Sequence, residues 1–194
     1  MADETNKGQG AGDKPQGTGG RPQGGERGGR RSRREPSEFI EKVIDIARVA
    51  KVVKGGRRFS FRAIVAIGKG AGEVGLGCGK SNEVMGAIQK AILDAKRNMI
   101  TIKRHGTSIP HDVTGKFKAA KVLLKSATPG TGVIAGGAVR AIAECAGIAD
   151  LLSKSMGSGS KLNIAKATFQ ALEMLRTRED IAAIRGKSIE EFKS

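Results

Sequence analysis

Tryptophan and tyrosine are absent from these 194 residues, and aromatics, all of them phenylalanine, make up only 3%. A surface that reads bases by stacking needs aromatic rings, so that mode has little material here. Cysteine is nearly absent too. Cys78 and Cys145 lie far apart, with neither metal-ligand spacing nor a disulfide framework, which predicts a reducing, cytosolic setting and no metal. Long apolar runs are missing. The longest stretch without a charged residue, Ser126 to Val139, contains Pro129 and several Gly. A spanning helix takes about 20 apolar residues, so no membrane span is expected. Residues Met1 to Gly12 are polar and Gly-rich and predict no secretory leader. Acidic residues are the scarcer charge, at 19 against 35 Lys plus Arg, for a formal net charge of +16. Such an excess repels itself unless a polyanion neutralises it. Nucleic acid is the first candidate partner, an anionic membrane surface the second, and a merely soluble basic protein the bland alternative.

What is abundant is glycine, at 29 residues. Ten of these sit in residues 1–36 with three Pro, beside Met1, Ala2 and Ala11 as the only apolar side chains. That segment cannot bury enough surface to offset its ordering entropy and is expected to be a disordered tail. Its end, Arg27-Gly28-Gly29-Arg30-Arg31-Ser32-Arg33-Arg34, suits either an RNA-following segment or a solubilising linker. The tail holds 8 basic and 5 acidic residues, net +3, so the other 158 residues hold 16 − 3 = +13. The folded part is itself basic.

Residues 40–104 read as three strands and a helix. Ile44, Ile46, Val49 and Val52 suggest a strand with a bulge near Arg48. Lys54-Gly55-Gly56-Arg57 is a hairpin turn. Phe59, Phe61, Ala63, Val65 and Ile67 then alternate with Arg58, Ser60 and Arg62, which places both phenylalanines toward the core. After the turn Gly68 to Gly72, Val74, Leu76 and Cys78 alternate with Gly75, Gly77 and Gly79. The bare glycine face must accept either a packed element or a ligand. A helix is expected from Ser81 or Asn82, with Val84, Ala87, Ile88, Ala91, Ile92, Ala95 and Met99 as its apolar stripe. The second half reads as a strand pair over 109–117 and 119–125, a loop at Thr128 to Gly132, and a helix from about Ile134 to Ala146. A strand near 148–156, a helix capped by Ser160 and a short helix over 179–184 follow. The boundary between halves falls at Arg104 to Thr107, which divides the chain into 1–36, 37–105 and 106–194.

Catalytic patterns are weak. Gly70-Ala71-Gly72-Glu73-Val74-Gly75 matches a dinucleotide glycine pattern, but a strand-like stretch follows where a helix is required. Gly79-Lys80-Ser81 resembles the end of a phosphate-binding loop, but Val74 stands where its first glycine belongs. A helix is expected to open there, and its start beside Lys80 can still hold one phosphate. Thr131-Gly132 before a helix offers the same, or else a cap, with Gly136 and Gly137 allowing close packing. His105, His111, Asp112 and the many serines have nothing that fixes a triad. The sequence predicts no catalytic residue and no cofactor.

The cations cluster better. Lys51, Lys54, Arg57, Arg58 and Arg62 surround the first hairpin with Gly55 and Gly56 at its turn, and Lys69 lies at the next turn. Lys80 follows the glycine strand. Lys103 and Arg104 end the first half, and Lys116, Lys118, Lys121 and Lys125 lie on the next strand pair. Long cations on loops with few aromatics suit backbone phosphates, which favours folded RNA recognised by shape.

At these residues the chain resembles a known family, the bacterial small-ribosomal-subunit protein number five. The resemblance covers about Ser37 to Phe192. It rests on Arg48 to Phe61, Val74-Gly75-Leu76-Gly77-Cys78-Gly79-Lys80, Ala87-Ile88-Gln89-Lys90-Ala91, Gly130-Thr131-Gly132-Val133-Ile134-Ala135-Gly136-Gly137 and Arg185-Gly186-Lys187-Ser188. It implies an α+β fold: an amino-terminal βββα domain like double-stranded-RNA-binding folds, then a carboxy-terminal α/β domain with a left-handed βαβ crossover. It implies a non-enzymatic, cytoplasmic ribonucleoprotein constituent that binds small-subunit ribosomal RNA and touches small-subunit proteins four and eight. It also implies a place near the messenger entry path and a role in translational fidelity. The hairpin Val53 to Arg57 would reach RNA and bear on spectinomycin resistance. Lys118 and Lys121 would face protein four. The family often has an aromatic at Cys78 and Asn-Pro at Ser160-Lys161, and the Gly/Arg tail is outside the shared pattern.

Overall fold

The computed structural model describes residues 39–186. The expected tail 1–36 and the Lys187-Ser188 end of the last motif lie outside the described residues. Elements follow in the order β1 (Ile40–Val53), β2 (Gly56–Gly68), β3 (Glu73–Ser81), α1 (Val84–Arg97) and β4 (Met99–Thr101). The second half gives β5 (Val113–Phe117), β6 (Ala120–Ser126), β7 (Val133–Ile134), α2 (Gly137–Ala146), β8 (Leu151–Gly157), α3 (Lys161–Glu173) and α4 (Arg178–Arg185). Each half carries one four-stranded sheet, ordered β1-β2-β3-β4 and β5-β6-β8-β7. The first is antiparallel throughout. In the second, β7 and β8 are parallel and α2 joins them. The fold is α+β, as the sequence suggests.

The glycine strand explains how the first layer closes. Gly75, Gly77 and Gly79 face α1, where a methyl on each would fall well inside 3.0 Å of the Ala95, Ala91 and Ala87 carbonyl oxygens. The bare face therefore takes a packed helix, not a ligand. Ala87, Ala91 and Ala95 are the buried stripe of that helix and pack with Ala63, Val65 and Ile67 of β2. The helix starts later than expected. Ser81 still pairs with Phe61 in the β ladder, and the N-cap is Glu83, whose side chain makes no cap bond. Main-chain pairing to β2 outweighs the capping preference of Ser81. The β-bulge also lies elsewhere, between Val43 and Asp45 and not near Arg48. Ile44 turns there toward the core shared with the second half while Asp45 meets Lys161 of α3 at 2.8 Å.

Ala63 to Ile67 are all fully buried because both faces of β2 are covered. Ala66 joins Val74 and Ile102 of the first half with Val122, Leu124, Ile142, Leu151 and Leu172 of the second in one core. Helix α2 sits between the sheets, against β1, β2, β3 and α3. The turn after β2 docks on its carboxy end: Gly70 and Gly72 amides donate to the Cys145 and Ala146 carbonyls, each at 3.1 Å. Lys42 forms an ion pair with Glu144 across the same joint. The described residues thus belong to one compact unit.

Candidate nucleic-acid interface

The β1–β2 hairpin outreaches its supporting helix. Strand β1 has 14 residues and spans roughly 46 Å at strand rise, whereas the 14-residue α1 covers roughly 21 Å. The far half of the ribbon therefore stands uncovered, with Lys54 and Gly55 at a two-residue turn between paired Val53 and Gly56. Gly55 has φ +85°, which explains the glycine there.

The pairing register sorts the cations by face. Lys51 lies opposite Arg58, and Arg62 lies opposite Lys80. Alternation puts all four on the face away from α1. Nearer the base of the same face stand Ala66, Leu76 and Val74, which the second half covers. One sheet face is thus apolar where protein covers it and cationic where none does. Lys51, Lys54, Arg57, Arg58 and Lys80 are exposed and form no ion pair among the described residues. Arg62 is half-buried, and its Nε is buried without a hydrogen-bond partner.

Other expected contacts lie elsewhere and have internal work. Lys69 pairs with Glu73 at 2.9 Å. Lys103 meets Asp180 at 2.6 Å. The Lys103 ammonium, with the Thr177 amide and hydroxyl, holds the Asp180 carboxyl far below its ordinary range. Arg104 donates to the Gly147 carbonyl at 3.0 Å and bridges the joint to Gly70. Lys118 stands at the exposed β5–β6 turn with φ +52°, and Lys121 lies opposite Lys116 on the neighbouring strand.

The geometry answers the catalytic alternatives. Lys80 sits inside β3, so Gly79-Lys80-Ser81 does not open a helix and forms no phosphate loop. Nor does Gly70 to Gly75, which runs from a turn into β3. The loop before α2 is filled from within. Asp150 Oδ1 accepts the Gly130 and Gly132 amides at 3.0 and 2.8 Å. The Thr107 hydroxyl and these amides hold its carboxyl below the usual value. An internal carboxylate thus takes the place a phosphate would need. His111 Nε2 accepts the Arg176 amide at 3.1 Å, and its Nδ1 lies 3.0 Å from the Asp112 main-chain oxygen, so no serine engages the ring. Asp112 instead serves the Ser126 amide at 3.0 Å.

Sequence reasoning missed two features. One is the Asp150 clasp, which reaches back 20 and 18 residues to Gly130 and Gly132 and so left no local signal. The other corrects an expectation. Phe61 packs on the α1 core, but Phe59 is 47% exposed, with the Arg48 guanidinium 3.6 Å above its ring. Alternation assigned Phe59 to the core side, but α1 begins only at Val84, past the Phe61–Ser81 pair, and does not reach it.

Comparison with known proteins agrees with this architecture. The family model described as ribosomal protein S5, N-terminal domain, matches residues 39–103, and that for the C-terminal domain matches residues 115–185. The small ribosomal subunit protein uS5 of Treponema denticola is 53% identical over 152 residues, which cover 78% of this chain and 88% of that protein.

Proposed function

This chain belongs to the ribosomal protein S5 family, non-enzymatic constituents of the small subunit of the cytoplasmic ribosome, and from that premise we propose how its own residues serve the subunit. The uncovered hairpin binds ribosomal RNA through backbone phosphates, using Lys51, Lys54, Arg57, Arg58, Arg62 and Lys80, with Gly55 and Gly56 allowing close approach at the turn. Lys69, Lys103 and Arg104 are secondary contacts, since each already has a protein partner. Residues 37–105 and 106–194 act as two RNA- and protein-bridging domains on a shared core, with 1–36 as a separate tail.

The observation that carries this is the opposition of like charges. Lys51 against Arg58 and Arg62 against Lys80 are direct cross-strand pairs. Such pairs cost stability, and nothing among the described residues neutralises them. A row of phosphates turns that repulsion into attraction. Two experiments test the reading. Tagged protein in lysate should sediment stoichiometrically with the small subunit through a high-salt sucrose gradient, and a position at the top would overturn it. Lys54→Ala with Arg57→Ala should weaken binding to small-subunit ribosomal RNA and flatten the log–log salt dependence by roughly one unit per lost contact. An unchanged slope removes the hairpin from the interface.

The remaining role is at protein neighbours. Lys118 and Lys121 form a contact with small-subunit protein four, and protein eight is a second neighbour, close to the messenger path and to the control of accuracy. What supports this is the strained turn. A lysine at φ +52° costs about 1 kcal/mol where glycine would cost little, so the fold presents this side chain at a cost. Lys118→Glu with Lys121→Glu should raise misreading or impair subunit assembly, and unaltered misreading and assembly would remove the pair from this role.

A further inference from the structure

The hairpin's second face carries a different chemistry. Arg57, Phe59 and Arg48 lie on the α1 side of the ribbon, beyond the end of that helix, with Val52 and Ala50 between them. Val52 is 75% exposed and Phe59 47%. The guanidinium of Arg48 lies 3.6 Å over the Phe59 ring, close enough for face-on stacking. A guanidinium is planar and weakly hydrated, so a second flat group can cover its outer face.

Granted that the hairpin contacts RNA, we propose that the Arg48–Phe59 pair is a base-stacking site that receives one unpaired nucleobase of the ribosomal RNA. Charge complementarity commits the site to this occupant. From Ile46 to Gly72 the chain holds seven Lys and Arg and no acidic residue. A protein segment covering Phe59 would have to balance that field with acids, whereas a nucleotide brings its flat base and its phosphate together. Ala50, directly opposite Phe59, leaves the neighbouring space low. The ribbon then works as a wedge: phosphates run along the Lys51–Arg58–Arg62–Lys80 face, and an extruded base stacks on the other.

Stacking and charge contacts separate by salt dependence. Affinity of the full chain for purified small-subunit ribosomal RNA is measured across salt for Phe59→Leu, Phe59→Tyr, Arg48→Lys and the Lys54→Ala/Arg57→Ala pair. Phe59→Leu and Arg48→Lys should each lose on the order of tenfold in affinity with the salt slope unchanged, because no charge is removed. Phe59→Tyr, which keeps the ring, should bind like the parent. Parent-like affinity in either Phe59→Leu or Arg48→Lys overturns the stack, as does a loss that comes with a flattened slope. If Phe59→Leu lowers the unfolding midpoint enough to confuse the reading, Arg48→Lys, at an exposed position, decides alone. An unchanged slope in the Lys54→Ala/Arg57→Ala pair is a separate failure, that of the phosphate contacts at the hairpin tip.

Discussion

At the scale of single residues, chemistry is decided by what lies within a few ångströms. Gly77 exists because the Ala91 carbonyl stands where its side chain would be. The obstructing atom belongs to a helix backbone, which cannot swing aside. Gly77→Ala should therefore destabilise the protein by roughly 1–3 kcal/mol through overpacking, read from the denaturant midpoint of the helical circular-dichroism signal. An unshifted midpoint would mean that α1 slides at little cost. Cys145 shows a buried group kept inert. Burial pushes its thiol up to about 11, against a smaller opposing effect of Lys42, and its Sγ faces the Ile40 and Ala66 carbonyls.

At the scale of elements, the β1–β2 ribbon sets stability against function. Its turn and the sides of its second strand were legible: Gly55-Gly56 announced the turn, and alternation placed Arg58 and Arg62 on one side, whereas the bulge expected near Arg48 lies between Val43 and Asp45. Which part of the ribbon stays bare was not legible, because that depends on where α1 begins. The Lys51–Arg58 opposition makes the conflict measurable. Arg58→Glu converts a repelling cross-strand pair into an attracting one and should stabilise the free protein by a few tenths of a kcal/mol. The same change should weaken ribosomal-RNA binding. Loss of stability together with unchanged binding would contradict the assigned roles of this face.

At the scale of the whole molecule, the two halves are not independent bodies. Ala66, Val74 and Ile102 share a core with residues from Ile109 onward. The joint is also main-chain tight. Gly147 ends α2 at φ +75° and abuts the Gly70 carbonyl, with no room for a methyl. The parent should unfold in one calorimetric transition whose van't Hoff and calorimetric enthalpies agree. Gly147→Ala, strained in backbone and obstructed by Gly70, should lower the midpoint and split the transition. A single unaltered transition would show that the joint contributes little.

Local rules carried most elements. Gly55 marked the first hairpin, the Val74-Leu76-Cys78 alternation marked β3, the alanine spacing marked α1, and the excess of Lys and Arg pointed to a polyanion. These follow from backbone sterics, side-chain periodicity and net charge, which a chain possesses before it folds. Three matters waited for tertiary structure. The partner of the Gly75-Gly77-Gly79 face became α1. The carboxylate in the Gly130–Gly132 loop became Asp150. The exposure of Phe59 became visible only once the start of α1 was placed short of it. Each depends on the distance between segments remote in sequence, and only the packed core sets that distance.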